Sequence, residues 1–337
     1  MTKELVYKEN VVKENNYEMK CKLCLKNTAD QTGSHILSCM SVKSMIGNRG
    51  EEKSFVISTD PFENYLKNTK GEEIKEDYIL CRPCEQRLAY VESYIAEELF
   101  NKVKKSNFLS NFPRKTVYNI EVIECLRINP FAFHIFLYSQ IWRASISNTQ
   151  IFCKFNLENE IEEFLRITIN NTLPERNDYR GVVLKPKIWF KQLESYKNDL
   201  EKIKYLIATT DVIEDTTGDF IMFHPTFKQP YSLMMNEWII YFNVNESFNE
   251  DIFDLLKGIN IPEIYNSGKE TIRIIQIDKS KWLQTRNNLR DIVKDQKLKS
   301  LRNEIASSFF NANGYIPDNS IVDKLVLQHL ESLERDI

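Results

Sequence analysis

Two short stretches decide how this chain is read: Cys21-Lys22-Leu23-Cys24 and Leu80-Cys81-Arg82-Pro83-Cys84-Glu85, with 56 residues between Cys24 and Cys81. A Cys-x-x-Cys turn can aim both sulfurs at one ion while its amides bond back to sulfur, and two such turns supply the four thiolates that structural zinc prefers. A redox couple would need only one pair, placed at a helix start within a βαβ unit. Cys21, Cys24, Cys81 and Cys84 therefore read as ligands of one structural zinc ion. After Cys84 the residues Leu88, Val91, Ile95 and Leu99 recur at helical spacing, so the second turn feeds directly into a helix. Knuckle, strand region, second knuckle and ligand-bearing helix is the treble-clef order, a scaffold that many unrelated functions share.

Outward from these pairs the texture changes several times. Residues 1–20 are polar and without period, and read as a loosely held arm. Between the pairs, Gly33, Gly47, Gly50, Pro61 and Gly71 suit short strands and loops. Residues 101–115, with Lys104, Lys105, Ser106, Asn107 and Pro113, read as a linker, which divides the chain into a zinc module at 1–105 and a mixed α+β domain at 106–337. In the second part Pro130 suits the first turn of a helix reaching Ser147, apolar nearly all round and so central to a core. A further helix is expected from Leu157, with Ile161, Phe164 and Leu165 on its face. Residues 181–190, 219–224, 237–244 and 272–277 read as strands. Helices are expected over 281–310 and 320–334, the last with Ser320 as its N-cap. The fold class expected is α+β: a treble-clef or ββα-metal-like zinc module, then a mixed helical and antiparallel-strand domain.

Composition excludes more than it names. The chain has 337 residues, 42% hydrophobic, with 45 basic against 48 acidic side chains, so neither a polybasic arm nor an acidic tail is evident. Its 9 glycines form no Gly-x-Gly and none stands five residues before a Gly-Lys, which removes the dinucleotide fingerprint and the Walker phosphate loop. The longest apolar stretch, residues 131–142, is interrupted by His134, Ser139 and Gln140, whereas a membrane span needs about 20 apolar residues. No membrane association is expected. The first sixteen residues are charged from the start and lack the apolar core of a signal peptide, so the expected location is the cytoplasm, where thiols stay reduced.

One histidine lies between the two cysteine pairs: His35, in Gly33-Ser34-His35-Ile36-Leu37, on an expected strand. With Cys21-Lys-Leu-Cys24, Ser34-His35-Ile36 and Leu80-Cys81-Arg-Pro-Cys84-Glu85-Gln86-Arg87, the chain resembles the bacterial HNH-endonuclease-like proteins. The stretch Phe136-Leu-Tyr-Ser-Gln-Ile-Trp142-Arg143-Ala144-Ser145-Ile146-Ser147 is similar to that family's second signature. The resemblance covers roughly residues 20–150. It implies a metal-dependent endonuclease acting on DNA, with His35 as general base and Glu85 as helix-borne ligand of a catalytic magnesium or manganese ion. It also implies a possible role, with a protein partner, in defence against mobile elements.

The departures from that pattern define an alternative. Ser34 stands where a metal-binding Asp or His is usual, and a neutral hydroxyl is a poor magnesium ligand. The asparagine usual before the second knuckle is replaced by Glu76-Asp77-Tyr78-Ile79, so Glu76 or Asp77 is a candidate for the missing carboxylate. Glu92, two turns beyond Glu85, is about 10 Å along the helix and reads as a surface residue or as support for the site. On the alternative reading His35 bonds or packs against the knuckle and Glu85 answers the helix dipole. The protein is then a non-catalytic, zinc-scaffolded nucleic-acid-binding or partner subunit.

A weaker signal lies near the C-terminus. Arg286, Arg290, Lys294 and Lys297 recur at helical spacing, in a segment with eight basic residues against Asp291 and Asp295. Such a stripe suits a nucleic-acid backbone, and equally a solvated face paired along the helix. His134, His224 and His329 lack acidic or cysteine neighbours, and Cys39, Cys125 and Cys153 lack a Cys-x-x-Cys partner.

Overall fold

A computed structural model describes residues 19–37, 54–57, 66–67, 75–149, 152, 155–174, 186–211, 221–223, 231–235, 237–242, 264–266 and 271–335. Strands β1 (Ser34–His35), β2 (Ser54–Ile57), β3 (Leu66–Lys67) and β4 (Lys75–Glu76) precede helix α1 (Arg82–Ile95), which runs on through a π-helical turn at Ala96–Phe100. The hairpin β5 (Arg114–Val117) and β6 (Ile120–Cys125) leads to α2 (Pro130–Ile146), α3 (Asn159–Thr172), α4 (Pro186–Glu194) and the short α5 (Lys197–Leu200). Strands β7 (Tyr205–Thr209), β8 (Ile221–Phe223), β9 (Tyr231–Met235), β10 (Trp238–Phe242) and β11 (Ile272–Gln276) follow. The chain then forms α6 (Lys279–Asn313) and α7 (Asn319–Arg335).

The expected α+β class is observed. Nine strands form one mixed sheet in the order β3-β2-β8-β9-β10-β7-β11-β6-β5, in which β2 with β8 and β7 with β11 are the parallel neighbours. The strands β1 and β4 form a separate two-stranded ladder.

Helix α2 is the centre of the core. Pro130 occupies its first turn, and Asn129 caps it by accepting a hydrogen bond from the Ala132 amide at 3.0 Å. Every residue from Ala132 to Ser145 is buried, so its apolar sequence answers to neighbours on all sides. Two polar members of this stretch bond residues of other segments. Ser145 bonds Glu162 of α3 and accepts the Leu157 amide at 3.0 Å, and Arg143 reaches toward the cysteine pairs.

Several expectations are corrected. Residues 186–190, read as strand, open α4, because Pro186 starts a helix and Trp189 and Leu193, four apart, bury together. Residues 101–115 are not a bare linker: they form a turn, a 3-10 helix at Ser106–Asn111 and the start of β5, with Val103 and Phe112 buried. Lys104 there pairs with Glu237 at 2.6 Å, just before β10. Among the described residues one buried cluster holds members from both sides of residue 105, Cys21 and Ile274 included, and β2 and β3 belong to the large sheet. The cap of α7 is Asp318, which accepts the Ile321 amide at 3.0 Å, rather than Ser320, whose hydroxyl bonds that same carboxylate. Cys39, Cys153 and His224 lie outside the described residues.

His134 sits on α2 with its ring 4.6 Å from that of Tyr205. Burial pushes its imidazole down to about 3, against a smaller opposing pull from the Leu200 carbonyl. The unfolded chain protonates this ring near its ordinary value of about 6.5. Folding stability from this group is therefore complete above pH 6.5 and is lost as pH falls toward 3, by up to about 1.4 kcal/mol per pH unit. His134→Leu should flatten the fall in urea-unfolding free energy between pH 6.5 and 4.5 by about that slope. Identical slopes in the two proteins would contradict the assignment.

Candidate metal centre and the adjoining polar cluster

The first knuckle is shaped by backbone bonds that turn the chain sharply. Leu25 N donates to the Cys21 carbonyl at 2.9 Å and Cys21 N to the Asn27 carbonyl at 2.8 Å, with Leu25 held at φ 58° to close the turn. The second knuckle opens α1: Pro83 suits the first helical turn, and Asp30 accepts the Arg82 amide at 2.8 Å in place of a local cap. Backbone bonds outside the strands join the two turns: Lys22 N donates to the Ile79 carbonyl and Gln31 N to the Leu80 carbonyl.

These turns bring the sulfurs of Cys21, Cys24, Cys81 and Cys84 within 4.8 Å of one another. The Cys24 and Cys81 sulfurs are 3.9 Å apart. A tetrahedral ion with metal–sulfur bonds of about 2.3 Å sets its sulfurs about 3.8 Å apart, so the donor set fits a metal ion such as zinc. Asn27 Nδ2 lies 3.6 Å from the Cys81 sulfur, a further donor to a thiolate. Four sulfurs this close, three of them on buried cysteines, cannot all carry charge without a cation. The Cys84 thiol donates to Cys21 and holds it down to about 4, while Cys84 itself is pushed far up and burial raises Cys81.

Beside this centre lies a second cluster. Strand β1 pairs antiparallel with β4, Ser34 opposite Glu76 and His35 opposite Lys75. Ser34 is fully buried, its hydroxyl beside Glu85 of α1. Neither Ser34 Oγ nor Glu85 Oε2 has a hydrogen-bond partner of good geometry. Burial raises the Glu85 carboxyl, Arg143 opposes, and the nearby Glu92 raises it further. His35 is half-buried, and its imidazole is lowered first by burial and then by Lys75, with Glu92 opposing and Arg143 lowering it again.

Arg143 and Glu92 are the residues of this cluster that sequence reasoning undervalued. Arg143 is 1% exposed; its Nη1 donates to the His35 carbonyl at 2.6 Å and its Nη2 forms an ion pair with Glu92. The seven-residue spacing that puts Glu85 and Glu92 on one face, and a lone arginine on an apolar helix, were the available signals. Glu76 and Asp77 are committed elsewhere, Glu76 to Asn148 and Asp77 to the Gly33 amide at 2.6 Å. Among the described residues, His35, Glu85 and Glu92 do not bring three ligand atoms together as the cysteines do. The stripe Arg286, Arg290, Lys294 and Lys297 lies on α6, and its side chains lie outside the described residues. No helix among the described residues is long and apolar enough to cross a membrane.

The chain matches no protein-family model, no curated protein and no solved structure, so the functional reading rests on its own geometry.

Because binding a metal here and folding are coupled, the purified protein should carry about one metal ion per chain at this site. Cys81→Ser should lose that ion and lower the thermal midpoint by roughly 10 °C or more. Elemental analysis and calorimetry check both. Metal-free wild type purified without chelators, with an unchanged midpoint in the variant, would be the contrary result.

Proposed function

We propose that the protein is a metal-dependent nucleic-acid endonuclease of HNH type, acting on DNA, and built on a treble-clef zinc centre of Cys21, Cys24, Cys81 and Cys84. Four thiolates in a tetrahedral set favour zinc over harder divalent ions. The observation that carries the reading is a juxtaposition. His35 stands on a strand beside the metal centre, and Ser34 next to it faces a helix carboxylate, Glu85, one of whose oxygens is buried without a partner.

In this reading Glu85 holds a magnesium or manganese ion, which when bound offsets charge on the scissile phosphate and the leaving oxygen. Magnesium is commonly held by one or two carboxylates with water and phosphate completing its shell, which suits a site offering one free carboxylate. His35 accepts a proton from water as the water oxygen bonds to phosphorus; one phosphorus–oxygen ester bond breaks, and the leaving oxygen takes a proton from solvent. The lowering of the imidazole by burial favours the neutral form of His35, the form a base must have. Arg286, Arg290, Lys294 and Lys297 are assigned to backbone phosphates, and a partner of a defence system to activation.

A specific observation favours a second reading, a non-catalytic zinc-scaffolded nucleic-acid-binding or partner subunit. Arg143 already balances Glu92 and bonds the His35 carbonyl, so the cluster is held together without a second ion.

The two readings separate in a nicking assay on supercoiled DNA with magnesium or manganese. His35→Ala should lower cleavage by about 100-fold or more with the metal centre intact, and Glu85→Ala should lower it with partial recovery at high metal. Because protonation disables the base and burial lowers the folded imidazole from its ordinary value, the acid limb of wild-type activity should lie at lower pH than that of an unperturbed histidine. Equal activity, or equal inertness, of wild type and His35→Ala would transfer the conclusion to the second reading. Separately, Arg286→Glu with Arg290→Glu should reduce the salt slope of DNA binding by about 2; an unchanged slope would return the stripe to solvent.

A further inference from the structure

The ladder of β1 with β4 is two residues long, too short to hold a side chain in place by its own hydrogen bonds. What holds the backbone of His35 from outside that ladder is Arg143. Its Nε donates to the carbonyl of Ser139, one turn back on α2, at 3.3 Å, so the guanidinium plane is set by its own helix. From that plane Nη1 reaches the His35 carbonyl and Nη2 reaches Glu92 on α1. Gln140 adds a second donor to the same Glu92 oxygen at 3.4 Å. A planar fork of donors transmits orientation in a way that a lysine ammonium does not.

Charge gives the arrangement a second consequence. Glu85 and Glu92 lie two turns apart on one face of α1, and Glu92 acts electrostatically on both Glu85 and His35. With Arg143 paired to Glu92, Glu85 is, among the described residues of the cluster, the carboxylate that keeps an oxygen without a hydrogen-bond partner. Breaking the pair would leave a buried guanidinium uncompensated, which is strongly unfavourable, so Glu92 is not free to turn toward Glu85.

We infer that Arg143 is a positioning residue of the candidate site: from the central core helix it sets the strand that carries His35 and commits Glu92, leaving Glu85, among the described residues of the cluster, as the carboxylate open to an incoming ion. The role assigned to Glu85 rests on the endonuclease reading, whereas the hold on His35 does not. The groups that face the His35 ring are Lys75 from β4, Glu92 from α1 and Arg143 from α2.

The test uses the full metal-loaded chain and two readouts. In DNA cleavage, Arg143→Lys keeps the charge and loses the fork; it should lower kcat about 10- to 100-fold with KM, metal content and thermal midpoint near wild type. In the imidazole proton spectrum, with His35 assigned by its absence in His35→Ala, the two sides of the ion pair should move the titration in opposite directions. Arg143→Gln removes a cation and exposes Glu92, so the His35 midpoint rises. Glu92→Gln, which keeps an amide oxygen to accept from the guanidinium, removes an anion, so the midpoint falls. An unchanged kcat in Arg143→Lys together with an unmoved His35 midpoint in Glu92→Gln would overturn the inference and leave a structural ion pair. Inert wild type with opposite midpoint shifts would instead overturn the endonuclease reading and uphold the positioning of His35.

Discussion

Four sulfurs within 4.8 Å of one another impose the constraint on which the rest of the arrangement depends. They tie the loop at Cys21 to the first turn of α1, nearly sixty residues later, and so decide where β1 must lie. The knuckles are then docked on the core by cations seated on carbonyl oxygens. Lys22 Nζ donates to the Ile146 carbonyl at the end of α2, at 2.8 Å. Arg87 of α1 donates to the carbonyls of Asn170, Leu173 and Pro174 around the end of α3. Arg166 of α3 returns the contact by donating to the Leu23 carbonyl inside the first knuckle. The last carbonyls of a helix lack internal partners and carry partial negative charge, which is why cationic side chains gather there. Losing the sulfur cluster would thus release several helix ends together with two loops.

The polar cluster next to that centre is a problem of charge balance. Two carboxylates, one imidazole and one guanidinium share a half-buried volume, where an uncompensated charge is costly. Arg143 resolves part of this by pairing with Glu92. Glu85 is left with a raised carboxyl and an oxygen lacking a partner, a feature with two physical outlets: a proton or a cation. The proposed endonuclease takes the second outlet and the proposed binding subunit takes the first. Both readings therefore turn on Glu85, and the neighbouring cysteine site is common to them.

Legibility in the sequence followed how local each determinant was. Leu88, Val91, Ile95 and Leu99 announced α1 because a helix face is written at a spacing of three and four. Pro130 and the apolar run after it announced α2, and the aromatic and β-branched run at 238–242 announced β10. The hairpin of β5 and β6 was missed because its turn, Tyr118-Asn119 at φ 47° and 65°, lacks the glycine that marks a two-residue hairpin. Strand β7, Tyr205-Leu-Ile-Ala-Thr209, was missed for another reason. It is buried on both faces between β10 and β11, so it shows no alternation and no bounding turn signal. Residues 186–190 misled because β-branched and aromatic content says little when a proline and an i, i+4 pair of large side chains call for a helix.

The sequence by itself determined the cysteine set, the helix that carries its last two members, the α+β class and the candidates His35 and Glu85. Those features depend on residue type and on spacings of a few residues, which the chain states directly. Only the tertiary structure decided which acids face the candidate site: Glu76 and Asp77, adjacent in sequence to the second knuckle, turn to Asn148 and Gly33, while Glu92 is brought in by Arg143 from 51 residues away. It also decided that residues 54–57 and 66–67 join the sheet of the second half and that one core runs across residue 105. Such pairings are chosen by the burial of charge and apolar surface over the whole molecule, and no local pattern encodes which distant partner will neutralise a given side chain.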